Sequence, residues 1–158
     1  MSTYRIVAGV DGSAGGERAL RWAVHEAASR GGTVQAVTAY TFDNIDPASL
    51  AGRQQHQVTV EQMLGAQVVA ALANDPRVAV TTRVVFGNPT EVLLDSACDA
   101  TLLVLGSHGH GRLFHAVLGS VADSCVRRAT CPVVVIPVPQ TEKVPAEPEP
   151  NGMPSAIL

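Results

Sequence analysis

The chain has 158 residues, 46% of them hydrophobic and only 4% aromatic, with a formal charge of −3 and a pI near 5.9. That length fits one domain with a substantial core. The acidic balance excludes a general nucleic-acid binder, which presents a basic face, yet leaves a nucleotide ligand open because backbone amides can hold phosphates without surplus positive charge.

Residues 4–10, YRIVAGV, form a short apolar run stopped by Asp11-Gly12-Ser13 and read as a first strand buried on both faces. After Gly15 and Gly16 the pattern turns helical. Ala19, Leu20, Ala23, Val24 and Ala27 share one face, Trp22 lies just off it, and Gly31-Gly32 ends the helix. Residues 33–40 are the second strand. Residues 41–53 are polar and turn-rich, the mark of a long mobile connection. A second helix is expected over 54–73, with Val58, Met63, Leu64, Val68 and Leu72 as core candidates, ended by Asn74-Asp75-Pro76. Residues 78–86 are rich in β-branched residues and read as the third strand.

Gly87-Asn88-Pro89-Thr90-Glu91 carries a complete helix start: Asn88 can cap, Pro89 suits the first helical position, and Glu91 follows three after the cap. That helix runs to about residue 99, and residues 101–105 are the fourth strand. A glycine-rich stretch follows from Gly106, then a helix over 121–129. The fifth strand spans 131–138, and Pro132 and Pro137 assign it to a sheet edge. Residues 140–158, rich in Pro and Glu, read as a disordered tail behind a single domain over 1–139. No apolar run reaches membrane-spanning length, and the first residues carry no signal-peptide pattern. Cys98, Cys125 and Cys131, an odd number without paired metal-ligand spacing, favour reduced thiols in a cytoplasm. Cys98 and Cys125 are expected as small core residues of their helices.

Strand–helix alternation predicts an α/β fold, a parallel sheet with helices on both faces. In such sheets a ligand sits beyond the carboxyl ends of the strands, where strand order reverses. The loops after the first and fourth strands are then candidates for one site, with Asp11 facing the glycines. A strand, a glycine loop and a helix start are the parts of a phosphate cradle, though the same glycines also suit a plain surface loop. Asp11 reads equally as a turn cap or a ligand contact. His108, His110 and His115 lack the helical spacing of a metal pair and read as solvated loop histidines. No Walker-type phosphate loop occurs, and the glycine stretch holds no lysine.

The spacing of Gly106, Gly109, Gly119 and Ser120, G-x-x-G, nine residues, then G-S, resembles the nucleotide-binding signature of the universal stress protein family. Four further matches occur in order: Val10-Asp11-Gly12-Ser13 with the Ala19-to-Ala23 segment, Gly87-Asn88-Pro89, the apolar strand into Gly106-Ser107, and Cys131-Pro132-Val133. The likeness covers roughly residues 3–138. It implies a doubly wound five-stranded parallel sheet of order 3-2-1-4-5 and a homodimer through the last strand, Val133 to Pro137. It implies ATP as ligand, with magnesium near Asp11. Gly109, Gly119, Ser120 and Val121 would hold phosphates, Asp11 would lie near the ribose, and Val10 and Ala39 would flank the adenine. The resemblance suggests a nucleotide-responsive regulatory dimer of the stress response with an unidentified protein partner. A slow ATPase or adenylate-handling enzyme, and a partner-binding dimer without nucleotide, are the alternatives. Two features depart from the family: Arg112 is the only cation of the glycine loop, and the Pro/Glu-rich tail has no counterpart.

Overall fold

A computed structural model describes residues 3–42, 49–109 and 118–139. Nine elements alternate: β1 (Arg5–Gly9), α1 (Ala14–Arg30), β2 (Thr33–Tyr40), α2 (Leu50–Ala71), β3 (Ala79–Phe86), α3 (Pro89–Ala97), β4 (Leu102–Gly106), α4 (Ser120–Arg128) and β5 (Val133–Ile136). The strands form one sheet of order β3-β2-β1-β4-β5, and every pairing is parallel. The sheet is the one expected, including β5 at an edge. The chain leaves β1 toward β2 on one side and returns as β4 on the other. Between the carboxyl ends of β1 and β4 the strand order therefore reverses.

Each face of the sheet buries its own core because successive strand residues point to opposite sides. Ile6, Ala8, Val34, Ala36 and Val104 meet Leu20 and Val24 of α1 and Leu64 of α2. Val7, Val37, Leu103 and Leu105 meet Val92 and Leu93 of α3 and Cys125 of α4. The α1 stripe read from the sequence is fully buried, and Trp22 packs partly buried at its border.

Several boundaries differ from the sequence reading. Helix α1 begins at Ala14, ahead of Gly15 and Gly16, because the Ser13 hydroxyl accepts a hydrogen bond from Gly16 N at 3.1 Å. A Cβ at Gly15 would strike the His108 carbonyl oxygen, so this glycine serves close approach rather than a turn. Helix α2 begins at Leu50, several residues early, because Ser49 caps Gly52 N at 3.0 Å. Its apolar face is also narrower than expected: Leu64 and Val68 are buried, but Val58 is 42% exposed. Cys98 is exposed at the end of α3, whereas Cys125 is buried. Helix α4 begins at Ser120, one residue early. The expected tail over 140–158, and His110, Arg112 and His115 of the glycine loop, lie outside the described residues.

Candidate functional site

At the reversal of strand order the carboxyl ends of β1 and β4 open into a cleft of about 420 Å³. That size falls within the ~300–1,000 Å³ of small-molecule sites. All eight residues expected at a nucleotide site, Val10, Asp11, Ala39, Gly106, Gly109, Gly119, Ser120 and Val121, line it. The cleft is chemically divided. Val10, Val37, Ala39, Leu93 and Leu105 make an apolar end against the sheet and α3, while Asp11, Ser107, His108 and the start of α4 make a polar end.

The first wall is fixed by the backbone. Val10 N donates to Val37 O at 2.9 Å, and the buried Thr38 hydroxyl donates to Val10 O at 2.7 Å. Val10 is thereby locked beside β2 just past the end of β1. Asp11 then turns the chain: its Oδ1 accepts from Ser13 N at 3.0 Å and from the Ser13 hydroxyl. The Ser13 hydroxyl thus links the Asp11 carboxylate to the first turn of α1. Asp11 does serve the turn, as one sequence reading had it, yet its carboxylate stays exposed on the cleft wall. A Cβ on Gly109 would come within 2.5 Å of Asp11 Oδ2, so glycine lets this loop pass directly over the carboxylate.

The second wall follows β4. Ser107 N donates to Ile136 O at 2.8 Å, which carries the β4–β5 ladder one residue past the strand. Gly106 packs so tightly on α1 that a Cβ would lie 2.8 Å from Gly15 C and O. Gly106 is therefore a packing glycine under the cleft floor. Gly119 N donates to Ser107 O at 2.7 Å, which pins the start of α4 beside the end of β4.

Helix α4 differs from the other three at its N-terminus. Ser13, Ser49 and Asn88 cap α1, α2 and α3 through their side chains. Gly119 stands at the cap position of α4, and no side chain bonds there. The first N–H groups of a helix have no intrahelical acceptor, so Ser120, Val121 and Ala122 present theirs on the cleft wall together with the positive end of the helix dipole.

Ser107 and His108 were missed as site residues. Ser107 is buried, and its Oγ lies 3.0 Å from His108 Nδ1. His108 is half-buried on the cleft wall rather than a solvated loop residue. No sequence spacing marks a bond between neighbouring residues; it follows from Ser107 being anchored to β5. Pro89, legible as a helix start, and Leu93, which no sequence motif singles out, close the apolar end.

A strap behind the site joins α3 to α4. Arg128 makes two hydrogen bonds to Glu91, Nη1 to Oε1 at 2.6 Å and Nη2 to Oε2 at 3.2 Å. The guanidinium holds the Glu91 carboxyl below its ordinary range, mainly through the hydrogen bonds. Among the described residues no group of three or more His, Cys, Asp or Glu could hold a metal ion by itself.

This is a doubly wound α/β domain whose cleft offers an apolar wall, a carboxylate and an uncapped helix start. The Universal stress protein family model matches residues 3–137. The chain belongs to the universal stress protein family. Universal stress protein Rv2005c of Mycobacterium tuberculosis is 33% identical over 141 residues, covering 84% of this chain but 48% of that relative. A universal stress protein of Mycolicibacterium smegmatis is 33% identical over 136 residues, covering 85% and 46%. This chain thus spans about half the length of these relatives. A universal stress protein solved in complex with cAMP is similar at 25% identity and TM-score 0.63, covering 86% of this chain and 98% of its own. The Archaeoglobus fulgidus universal stress protein in complex with dAMP shares the fold at TM-score 0.55 and 22% identity, covering 85% and 98%.

Proposed function

We propose that this protein binds an adenine nucleotide, ATP, in the cleft between β1 and β4 and acts as a nucleotide-responsive regulatory dimer in a cytoplasmic stress response. The observation that carries the reading is the uncapped start of α4, set on the wall of a cleft whose other end is apolar. Three adjacent N–H groups without an intrahelical acceptor suit an anion. The apolar end suits a flat base, which would lie between Val10 and Ala39 with Val37 and Leu93 behind. The relatives solved with cAMP and dAMP support adenine as that base.

In this reading Gly109, Ser120 and Val121 hold the phosphates through N–H groups and the Ser120 hydroxyl adds a donor, while Gly119, its own N–H engaged by Ser107 O, leaves the start of α4 open to the ligand. Gly106 makes the close packing that brings α1 and β4 together. Asp11 faces the ribose and phosphates. Magnesium commonly takes one or two carboxylates, phosphate oxygens and waters, and the Asp11 carboxylate fits that donor set. Bound there, the ion would neutralise phosphate charge beside the carboxylate.

The test is mass spectrometry of nucleotide released from the purified, denatured protein, followed by titration with ATP and magnesium. ATP in the released fraction, or saturable binding of ATP, supports the reading. Absence of both overturns it and leaves the nucleotide-free dimer.

A further inference from the structure

The cysteines divide by place. Cys125 is buried in the core under α4, while exposed Cys98 and half-buried Cys131 share one rim, where α3 ends and β5 is about to begin. Several contacts bring their segments together. The Thr130 hydroxyl donates to Cys98 O at 3.4 Å, so the residue before Cys131 touches Cys98 itself. Leu103 pairs with Val133 in the parallel ladder, which sets Cys131 beside Thr101, shortly after Cys98. The intervening chain folds back tightly, with Ala100 N donating to Ala97 O at 3.0 Å. A disulfide spans Cα atoms up to about 7 Å apart, and the Thr130 contact brings the two segments close to that span. Arg5 stands between the two thiols. Its Nη2 donates to Ser96 O at 3.1 Å and to Asp99, and the Cys98 thiol in turn donates to Asp99 Oδ1 at 3.9 Å. The same guanidinium acts on Cys131: burial pushes that thiol up from its ordinary range, and the Arg5 charge works against the rise.

We infer that Cys98 and Cys131 are a peroxide-sensitive thiol pair that closes to an intrachain disulfide between the end of α3 and the start of β5. The inference is independent of the nucleotide reading. Exposed Cys98 meets the oxidant first. Its thiolate attacks one oxygen of hydrogen peroxide, the O–O bond breaks, one water leaves, and Cys98 becomes a sulfenic acid. The Cys131 sulfur then attacks the Cys98 sulfur. The S–S bond forms, the S–O bond breaks, and the departing hydroxide takes the Cys131 proton as a second water. Two thiols lose two electrons between them and one peroxide is reduced to two waters. The sulfenic acid is an electrophile beside Cys131, so the partly buried thiol is suited to the second step rather than the first. Cys125 lies inside the core and does not compete. The ring closed by this disulfide runs through β4 and α4, the elements that carry the polar wall of the cleft. A disulfide of this kind in a cytoplasm is transient and redox-sensing rather than structural.

The test treats the reduced full chain with hydrogen peroxide near neutral pH, blocks the remaining thiols by alkylation, and maps the peptides by mass spectrometry without reduction. We expect the chain to lose two of its three free thiols, to yield a Cys98–Cys131 linked peptide from monomeric protein, and to keep Cys125 alkylated. Dithiothreitol should restore both thiols. In Cys131→Ser the sulfenic acid has no resolving thiol, so dimedone should trap it on Cys98. The same treatment in urea separates proximity in the fold from chance encounter, and there the linked peptide should form about tenfold more slowly or not at all. Equal rates in the folded and the urea-unfolded chain overturn the inference. So does wild-type Cys98 that ends as a sulfinic acid or in a link between chains, a disulfide that includes Cys125, or a chain that keeps all its thiols.

Discussion

Asp11 shows how one side chain serves both turn and site. Its Oδ1 is committed to Ser13, which in turn caps α1, so the carboxylate is held in place before any ligand arrives. Asp11→Asn keeps an acceptor for Ser13 and removes the charge. We expect that variant to fold normally and to lose the magnesium dependence of ATP binding, read by titration with and without the ion. Ser13→Ala should instead cost about 1 kcal/mol of stability through the lost cap, read by denaturant unfolding. The cysteines make a separate residue-scale prediction. Cys98 is exposed, whereas burial raises the thiol pKa of Cys125 and Cys131. A thiol reagent near neutral pH should modify Cys98 first and Cys125 last, as peptide mapping would show, since the thiolate is the reactive form.

Among the elements, those with a regular period or a local cap were legible in the sequence. The α1 stripe from Ala19 to Ala27 and the Asn88 cap of α3 needed no tertiary information. Helix α2 was harder. Its apolar residues are spread around the helix, so Val58, Leu50 and Val69 stay exposed while Leu64 carries the packing. The sequence pattern turns helical only after Gly15 and Gly16; close contact with the end of β4 keeps Gly15 in the first turn of α1 despite glycine's low helix preference. Gly106 belongs to the same contact. Gly106→Ala should therefore destabilise the fold by ~1–3 kcal/mol, seen as a lower denaturation midpoint, because its Cβ would meet backbone that cannot swing away. The Glu91–Arg128 strap is exposed and correspondingly small in effect. Because Arg128 depresses the Glu91 pKa, the strap contributes above the unfolded-state carboxylate pKa and fades as pH falls through the folded value. The difference in thermal midpoint between wild type and Arg128→Ala should shrink on acidification through that range.

For the whole molecule, the sheet order and the position of the cleft were legible because strand–helix alternation leaves few topologies, and the resemblance named one of them. All eight expected site residues lie on one cleft, which requires β1 and β4 to be neighbours. The Ser107–His108 pair was not legible, because it depends on where β5 anchors Ser107. Assembly is a prediction at this scale. Leu103 N donates to Pro132 O and Ser107 N to Ile136 O, so alternate residues Val133 and Val135 turn their N–H and C=O groups away from β4. If two copies pair along this edge, Val135→Pro should remove an outward donor and leave the β4 ladder intact. We expect a dimer for the wild type and a folded monomer for the variant, by analytical ultracentrifugation.

The most direct measurement is a titration of isotopically labelled protein with ATP and magnesium, followed by backbone amide NMR. The largest shifts should fall at Gly109 and at Ser120, Val121 and Ala122, with smaller ones at Val10 and Ala39. A second, more open hollow lined by Gly31, Gly32 and Asn74 lies at the opposite, amino-terminal edge of the sheet and serves as the internal control. Shifts centred there, or no shifts anywhere at saturating nucleotide, would contradict the assignment of the cleft as a nucleotide site.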